Sequence, residues 1–208
     1  MNNPSDAHPR TRLAILGTLA DIHRQPLVYD LDCLRTLVAG IEPDLLCAEV
    51  TPDAWEGGDL SAATIEVREA LNPVVASTDV VLIPVSPTPE QFADFAPPSG
   101  WRRGLARALD RLLQWGQRKA GRPETVNGPV FGVFCHSVCW LIEQTWTTDD
   151  RQLWDIQNRI IAENILQSVQ RDPGCRVLVA VQCQRMHQLI PQLRRHGNVL
   201  EIVRYRNL

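Results

Sequence analysis

The stretch Leu45-Leu46-Cys47-Ala48-Glu49-Val50 decides the fold prediction. Side chains of a strand alternate between its two faces, and here both faces are apolar. Such a run is typical of a central strand in a parallel sheet, which helices cover on both sides. The preceding segment, 29–41, has apolar residues at helical spacing and Asp30 as its predicted N-cap. The sequence therefore predicts a helix that leads into a buried parallel strand.

The same alternation extends in both directions along the chain. Further apolar runs predict strands at 13–17, 80–85 and 175–182, and an alternating run predicts an edge strand at 199–205. Helical patterns cover 59–71, 101–120, 131–146, 149–171 and 184–196. This order predicts an α/β fold: a mainly parallel sheet of about five strands, with helices on both faces and a helical insertion between strands three and four.

Composition predicts one cytoplasmic domain. The 208 residues suit a single α/β domain over 12–208, after a polar segment at 1–11 that we expect to be mobile. The net charge of −3 gives no argument for nucleic acid. The longest apolar tract, 130–142, is too short for a membrane span, and the first residues lack the apolar stretch of a signal peptide. We expect no membrane partner; a homodimer stays open.

Polar residues follow the predicted strands where ligands bind in open parallel sheets. Asp21 and His23 follow the first strand, Glu49 ends the second, and Arg185 and His187 follow the fourth. Each has a structural alternative. His23 could hydrogen-bond within its loop, Glu49 could form an ion pair with Arg68, and His187 could be an ordinary helix residue.

The six cysteines show no metal-site pattern, and three of them, Cys47, Cys139 and Cys183, lie in apolar runs typical of a core. They form no CxxC pair, and Cys135 and Cys139 share a helix face from which His136 points away. The sequence also lacks the GxGxxG and P-loop patterns of dinucleotide and nucleotide sites.

Four segments together resemble the TraB/TIKI and erythromycin-esterase/ChaN-like superfamily. The first holds Gly17-Thr18 and His23, and the second reads Pro43-Asp44-Leu45-Leu46-Cys47-Ala48-Glu49. The others are the helix segment 157–165 and the strand and its exit, 177–187. Arg185 stands where the family pattern has a histidine, and His187 follows two residues later.

The resemblance and the edge residues together predict a metal-assisted or histidine/glutamate-based hydrolase of a small ester or amide. The predicted catalytic residues are His23, Glu49, Arg159, Arg185 and His187, with Arg159 or Arg185 stabilising the oxyanion. The predicted ligands of a divalent metal are Asp21, His23, Glu49 and His187.

Two alternatives remain open. The ChaN-like precedent implies a non-catalytic protein that binds haem, iron or a small molecule, with His23 or His187 as ligand. A partner-binding module could instead use the basic helix from Trp101 to Arg122, which has seven bases and one acid, against an acidic surface.

Overall fold

A five-stranded parallel sheet forms the centre of the protein. The computed structural model describes residues 10–88 and 98–208. The strands are β1 (Thr11–Thr18), β2 (Leu45–Ala48), β3 (Val81–Pro84), β4 (Arg176–Gln182) and β5 (Leu200–Val203). Their order across the sheet is β3-β2-β4-β1-β5, and all neighbours run parallel. The predicted fold class is thereby confirmed.

Helices cover both faces of this sheet, as predicted. They are α1 (Leu31–Ile41), α2 (Pro52–Gly57), α3 (Asn72–Ser77), α4 (Gly100–Ala120), α5 (Pro123–Val126), α6 (Pro129–Glu143), α7 (Thr148–Arg171) and α8 (Cys183–Arg194). One face of the sheet packs with residues of α1, α3, α4 and α6, and the other with α7 and α8. Helices α4 to α7 form the predicted insertion between β3 and β4.

Burial of both faces of the sheet explains why β2 and the inner residues of β1 and β4 are apolar. On β2, Leu46 and Ala48 contribute to the first core, whereas Leu45 and Cys47 contribute to the second. All four side chains are buried. In the described residues, no helix is both long and apolar enough to cross a bilayer.

The helix predicted at 59–71 is wrong in both of its bounds. Asp59 does not cap a helix, because its carboxylate accepts a hydrogen bond from the Ser61 N–H in a local turn. The helical backbone includes a π-turn at Val67–Leu71 and continues through α3 to Ser77. Pro73 has no N–H to donate, and the wide π-turn beside it accommodates that missing hydrogen bond.

Two predicted segments lie largely outside the described residues. They are the mobile segment 1–11 and the segment 86–99, whose prolines predict a loop. The described part corrects the first of these at its end, because Thr11 is the buried first residue of β1.

Two glycines of α4 predict opposite effects of the same substitution. A Cβ added to Gly116 would lie 2.1 Å from Phe134 Cε1, whereas one added to Gly104 meets nothing within 4 Å. We expect Gly116→Ala to lower the free energy of unfolding by about 1–3 kcal/mol, because the ring must move out of a packed contact. We expect Gly104→Ala to raise it by about 0.5–1 kcal/mol, because alanine favours the helix. Urea unfolding of both variants measures the difference, and equal shifts would contradict it.

Candidate functional site

Glu49 and Arg185 form a buried ion pair at the carboxyl edge of the sheet. Glu49 directly follows β2, and Arg185 lies in the first turn of α8, after the neighbouring strand β4. Glu49 Oε1 lies 2.5 Å from Arg185 Nε, and the two side chains are 8% and 11% exposed. Adjacent parallel strands thus bring together two predicted site residues that are 136 positions apart in the sequence.

The ion pair is part of a larger network that uses most of its polar atoms. Glu49 Oε2 accepts a hydrogen bond from the Gln182 N–H at 2.6 Å. Arg185 Nη1 donates to Asn158 Oδ1 at 2.9 Å, and its guanidinium carbon lies 4.2 Å from the centroid of a Trp154 ring. Because Asn158 and Trp154 belong to α7, the network connects β2, β4, α7 and α8. Most polar atoms of Glu49 and Arg185 are therefore engaged with each other and with the surrounding helices and strands.

Burial dominates the acid–base behaviour of Glu49. It raises the pKa of this carboxyl above its usual value, since the charged form loses its water. The Arg185 guanidinium and the Gln182 N–H lower the pKa, but they offset only part of the burial effect. The predicted partner Arg68 is not the residue that pairs with Glu49.

His23 is fixed by backbone hydrogen bonds through both ring nitrogens. Nδ1 lies 2.8 Å from the Tyr29 carbonyl oxygen, and Nε2 accepts from the Leu19 N–H at 2.9 Å. A ring that donates at Nδ1 and accepts at Nε2 is neutral. Burial also lowers the pKa of His23, which keeps the ring uncharged near neutral pH. Both ring nitrogens of His23 are therefore engaged in this structure, and a metal-ligand or catalytic role for His23 would require one of these hydrogen bonds to break.

Glu66 is a buried carboxylate that the sequence interpretation missed. It is 2% exposed, Oε1 accepts from the Ala20 N–H at 2.7 Å, and Oε2 has no hydrogen-bond partner among the described residues. Its charge acts on both His23 and Glu49, so it belongs to the same polar region. The available signal was its place between the apolar residues Ile65 and Val67 in a predicted helix.

The remaining predicted residues do not join this network. Asp21 and Arg159 are exposed, and His187 contacts residues of α6 instead. Within residues 10–88 and 98–208, no group of three or more histidine, cysteine, aspartate or glutamate side chains is arranged to hold a metal ion. The ligand set Asp21, His23, Glu49 and His187 is therefore not assembled in this structure.

A pocket of about 650 Å³ lies between α6 and α8 and is separate from the Glu49 network. Its wall comprises the α5–α6 junction, one face of α8, and residues 202–206 after and within β5. The lining is mainly apolar, including Phe131, Met186 and Ile190, and the imidazoles of His136 and His187 interrupt it. An apolar pocket with a few polar groups is the usual form of a small-molecule site.

His187 connects this pocket to a carboxylate. Its Nε2 lies 3.6 Å from Glu143 Oε1, and its ring centroid lies 4.6 Å from that of His136. Neither ring nitrogen of His187 has a hydrogen-bond partner among the described residues. His136 and His187 line the pocket, whereas Glu143 does not. The arrangement is a pocket wall of two imidazoles, one of which faces a carboxylate.

The thiols beside this pocket are not activated nucleophiles. Cys135 Sγ lies 3.9 Å from both Cys139 Sγ and Cys183 Sγ. The neighbouring thiols and burial hold the pKa values of Cys135 and Cys183 well above the usual range. A thiol must lose its proton to attack a carbonyl, so these two stay unreactive near neutral pH. The prediction that Cys135 and Cys139 pack in the core is confirmed.

Arginines occupy the end of the pocket next to β5. Arg194, Arg204 and Arg206 line it, and Arg206 forms an ion pair with Glu124. Arg194 and Arg204 are exposed and form no ion pair with any residue in the described ranges. This end of the pocket therefore favours an anionic group.

Comparisons with known proteins assign neither a family nor a function to the chain. No family model, curated protein or solved structure matches the chain. The resemblance to the TraB/TIKI and erythromycin-esterase/ChaN-like superfamily therefore stays a prediction, and the functional argument depends on the geometry above.

Proposed function

We propose that this chain hydrolyses a small ester or amide in the pocket between α6 and α8, with His187 as the general base. The observation that carries the proposal is the position of His187 on the wall of a 650 Å³ pocket, with Glu143 at ion-pair distance outside it. A base within a pocket, oriented by a third group, is the recurring arrangement of acyl-transfer sites. His187 was among the predicted catalytic residues, but Glu143 was not.

The proposed reaction uses water as the nucleophile. With Nε2–H directed at Glu143, Nδ1 of His187 accepts a proton from water as the water oxygen bonds to the substrate carbonyl carbon. The carboxylate of Glu143 stabilises the imidazolium that forms. Breaking the C–O or C–N bond then releases an alcohol or amine, which takes up that proton, and a carboxylic acid.

In this proposal the Glu49–Arg185 pair has a positioning role: it holds α8, the helix that carries His187, in place. Arg185 and His187 lie two residues apart in the first half of α8. The pair anchors that part of α8 to β2 and α7, and so fixes the helix that carries the base. This replaces the oxyanion role predicted for Arg185. Arg159, the other predicted oxyanion group, is exposed on α7 and does not line the pocket.

Hydrolysis of p-nitrophenyl esters and p-nitroanilides of differing acyl length tests the proposal. We expect His187→Ala to lower kcat/KM by about 10²–10⁴-fold, the usual contribution of general acid–base catalysis. His196→Ala is the matched control, because His196 follows α8 and does not line the pocket. Undiminished turnover by His187→Ala, or no turnover of any substrate by the wild-type protein, would overturn the proposal.

Ligand binding without turnover is a second candidate, favoured by the buried ring nitrogens of His187, which have no hydrogen-bond partner among the described residues, and by the arginines that line the pocket. The donor set fits haem, since an imidazole can ligate its iron and arginines can pair with its carboxylates. We expect a Soret band on haem addition that His187→Ala removes and His196→Ala retains. An unchanged haem spectrum would contradict this candidate.

The divalent metal of the sequence prediction is a separate proposal. Metal analysis of the purified protein, alongside His23→Ala, tests it. Stoichiometric metal that disappears in the variant would support it, and equal metal content in both proteins would contradict a role for His23.

A further inference from the structure

Exposed apolar side chains are concentrated on two adjacent helices. Eight of the eleven exposed large hydrophobic residues among the described positions lie on α4 or α6. We call this surface the α4–α6 outer face. It comprises Trp101, Leu105, Leu112 and Trp115 of α4 and Val130, Val133, Trp140 and Leu141 of α6.

The two sets of side chains lie on the same side of the helix pair. Residues three, four, seven or eight positions apart share one side of a helix, and both sets have that spacing. The two helices meet where the Phe134 ring packs against Gly116. Leu112 precedes Gly116 by one turn, and Leu141 follows Phe134 by two, so both exposed leucines lie beside this line of contact. The α4–α6 outer face is therefore one continuous surface.

The exposed apolar area of the α4–α6 outer face is as large as that of an interaction surface. Trp101, Trp115 and Trp140 are 74%, 55% and 52% exposed. A tryptophan presents 150–250 Å², so these three alone contribute roughly 300–450 Å². The largest apolar patch on an ordinary monomer reaches only about 300–600 Å². With five aliphatic side chains added, the area approaches the roughly 800 Å² that each partner of a stable complex buries.

We propose that the α4–α6 outer face is the interface of a homodimer. Between Val130 and Leu141 the sequence has no aspartate, glutamate, lysine or arginine, so pairing this stripe with itself brings no like charges together. The arginines of α4, such as Arg103, Arg107 and Arg111, follow one another along a different side of the helix. In a twofold pair they lie at the rim, where water and salt screen their repulsion.

Composition and charge favour this partner over the others. Interfaces between proteins are rich in aromatic residues and arginine and poor in lysine and acids, and α4 has five arginines but one lysine and one acid. Twofold homodimers are also the commonest oligomers. An anionic bilayer would attract the arginines, but the net charge of −3 opposes its approach.

Light scattering coupled to size-exclusion chromatography tests the proposal at tens of micromolar protein. We expect a mass about twice 23.4 kDa for the wild-type chain. Leu112→Glu combined with Trp140→Glu places one carboxylate on each helix and should raise the dimer Kd about 100-fold or more. Neither Leu112 nor Trp140 lines the pocket, although Val133 of the same face does, so the double substitution leaves the pocket lining unchanged.

Val28→Glu is the control, because Val28 is 63% exposed but lies before α1. It should remain dimeric, and circular dichroism should show both variants folded. A monomeric wild type would overturn the proposal, as would a dimer that survives the double substitution. Sedimentation of monomeric wild type with phosphatidylserine vesicles would assign the surface to a membrane instead.

Discussion

Arg185→Met is expected to lower the free energy of unfolding by about 3–5 kcal/mol, the largest effect on stability that this structure predicts for one substitution. The variant leaves the Glu49 carboxylate buried with the Gln182 N–H as its only donor among the described residues. It also removes the hydrogen bond to Asn158 and the contact with Trp154. Urea unfolding followed by circular dichroism measures the loss.

A double-mutant cycle separates two contributions to the free energy of unfolding: the cost of leaving one buried charge without its partner, and the net contribution of the ion pair. We expect Glu49→Leu with Arg185→Met to restore stability to within about 1 kcal/mol of the wild type, because apolar side chains of similar size need no counter-charge. The control is Arg35→Met, which breaks the exposed ion pair with Asp32 and should cost less than about 1 kcal/mol. Similar losses for Arg185→Met and Arg35→Met would contradict the argument.

The loss of stability caused by Arg185→Met is expected to change with pH in one direction. Burial already raises the pKa of Glu49, and removing the guanidinium raises it further. A carboxyl whose pKa is higher in the folded state binds more protons there than in the unfolded state. Stability consequently falls as the pH rises from the unfolded pKa, near 4.5, through the folded one. The loss caused by Arg185→Met should therefore be greater at pH 8 than at pH 5.

The second large effect is expected for His23→Leu, at about 2–5 kcal/mol of unfolding free energy. The substitution leaves the Tyr29 carbonyl and the Leu19 N–H buried without their partners, and each such group costs about 1–3 kcal/mol. His196→Leu, on a half-exposed residue, is the control and should change stability by less than about 0.5 kcal/mol. Thermal or urea unfolding compares the two variants.

His23→Leu also distinguishes a structural role from a catalytic one. Because burial lowers the pKa of His23, the unfolded chain binds the extra proton at mildly acidic pH. Wild-type stability should thus increase as the pH rises from the folded pKa to about 6.5, and the variant should lose this slope. Ester hydrolysis per folded molecule should remain unchanged. A loss of turnover without a loss of stability would return His23 to the catalytic site.

The sheet and the cluster of polar residues at its carboxyl edge were predictable because their sequence signals are local. Apolar runs such as 45–50 predict buried strands, and parallel connections bring the carboxyl ends of the strands to one edge. That reasoning brings Glu49 and Arg185 together from opposite halves of the chain, which the structure confirms. It does not reveal that they neutralise each other, because the pairing depends on the first turn of α8 rather than on residue type.

The pocket was not predictable from the sequence, since two helices separated by α7 form it. His136 and Glu143 are seven positions apart on α6, but nothing in that spacing indicates that His187 of α8 lies beside them. The helix prediction for the α3 region was wrong for a different reason. The helix predicted at 59–71 stops before Pro73, whereas the π-turn ahead of that proline lets the helix continue to Ser77.

The position of β1 has a consequence for biosynthesis. Its two neighbours in the sheet, β4 and β5, leave the ribosome more than 150 residues after β1 itself. The apolar strand β1 must therefore wait unpaired until those later residues have been made. Contacts between such distant segments slow folding and expose the chain to aggregation. We expect translation and chaperone supply to influence the yield of this protein more than they influence one whose first strands pair with each other.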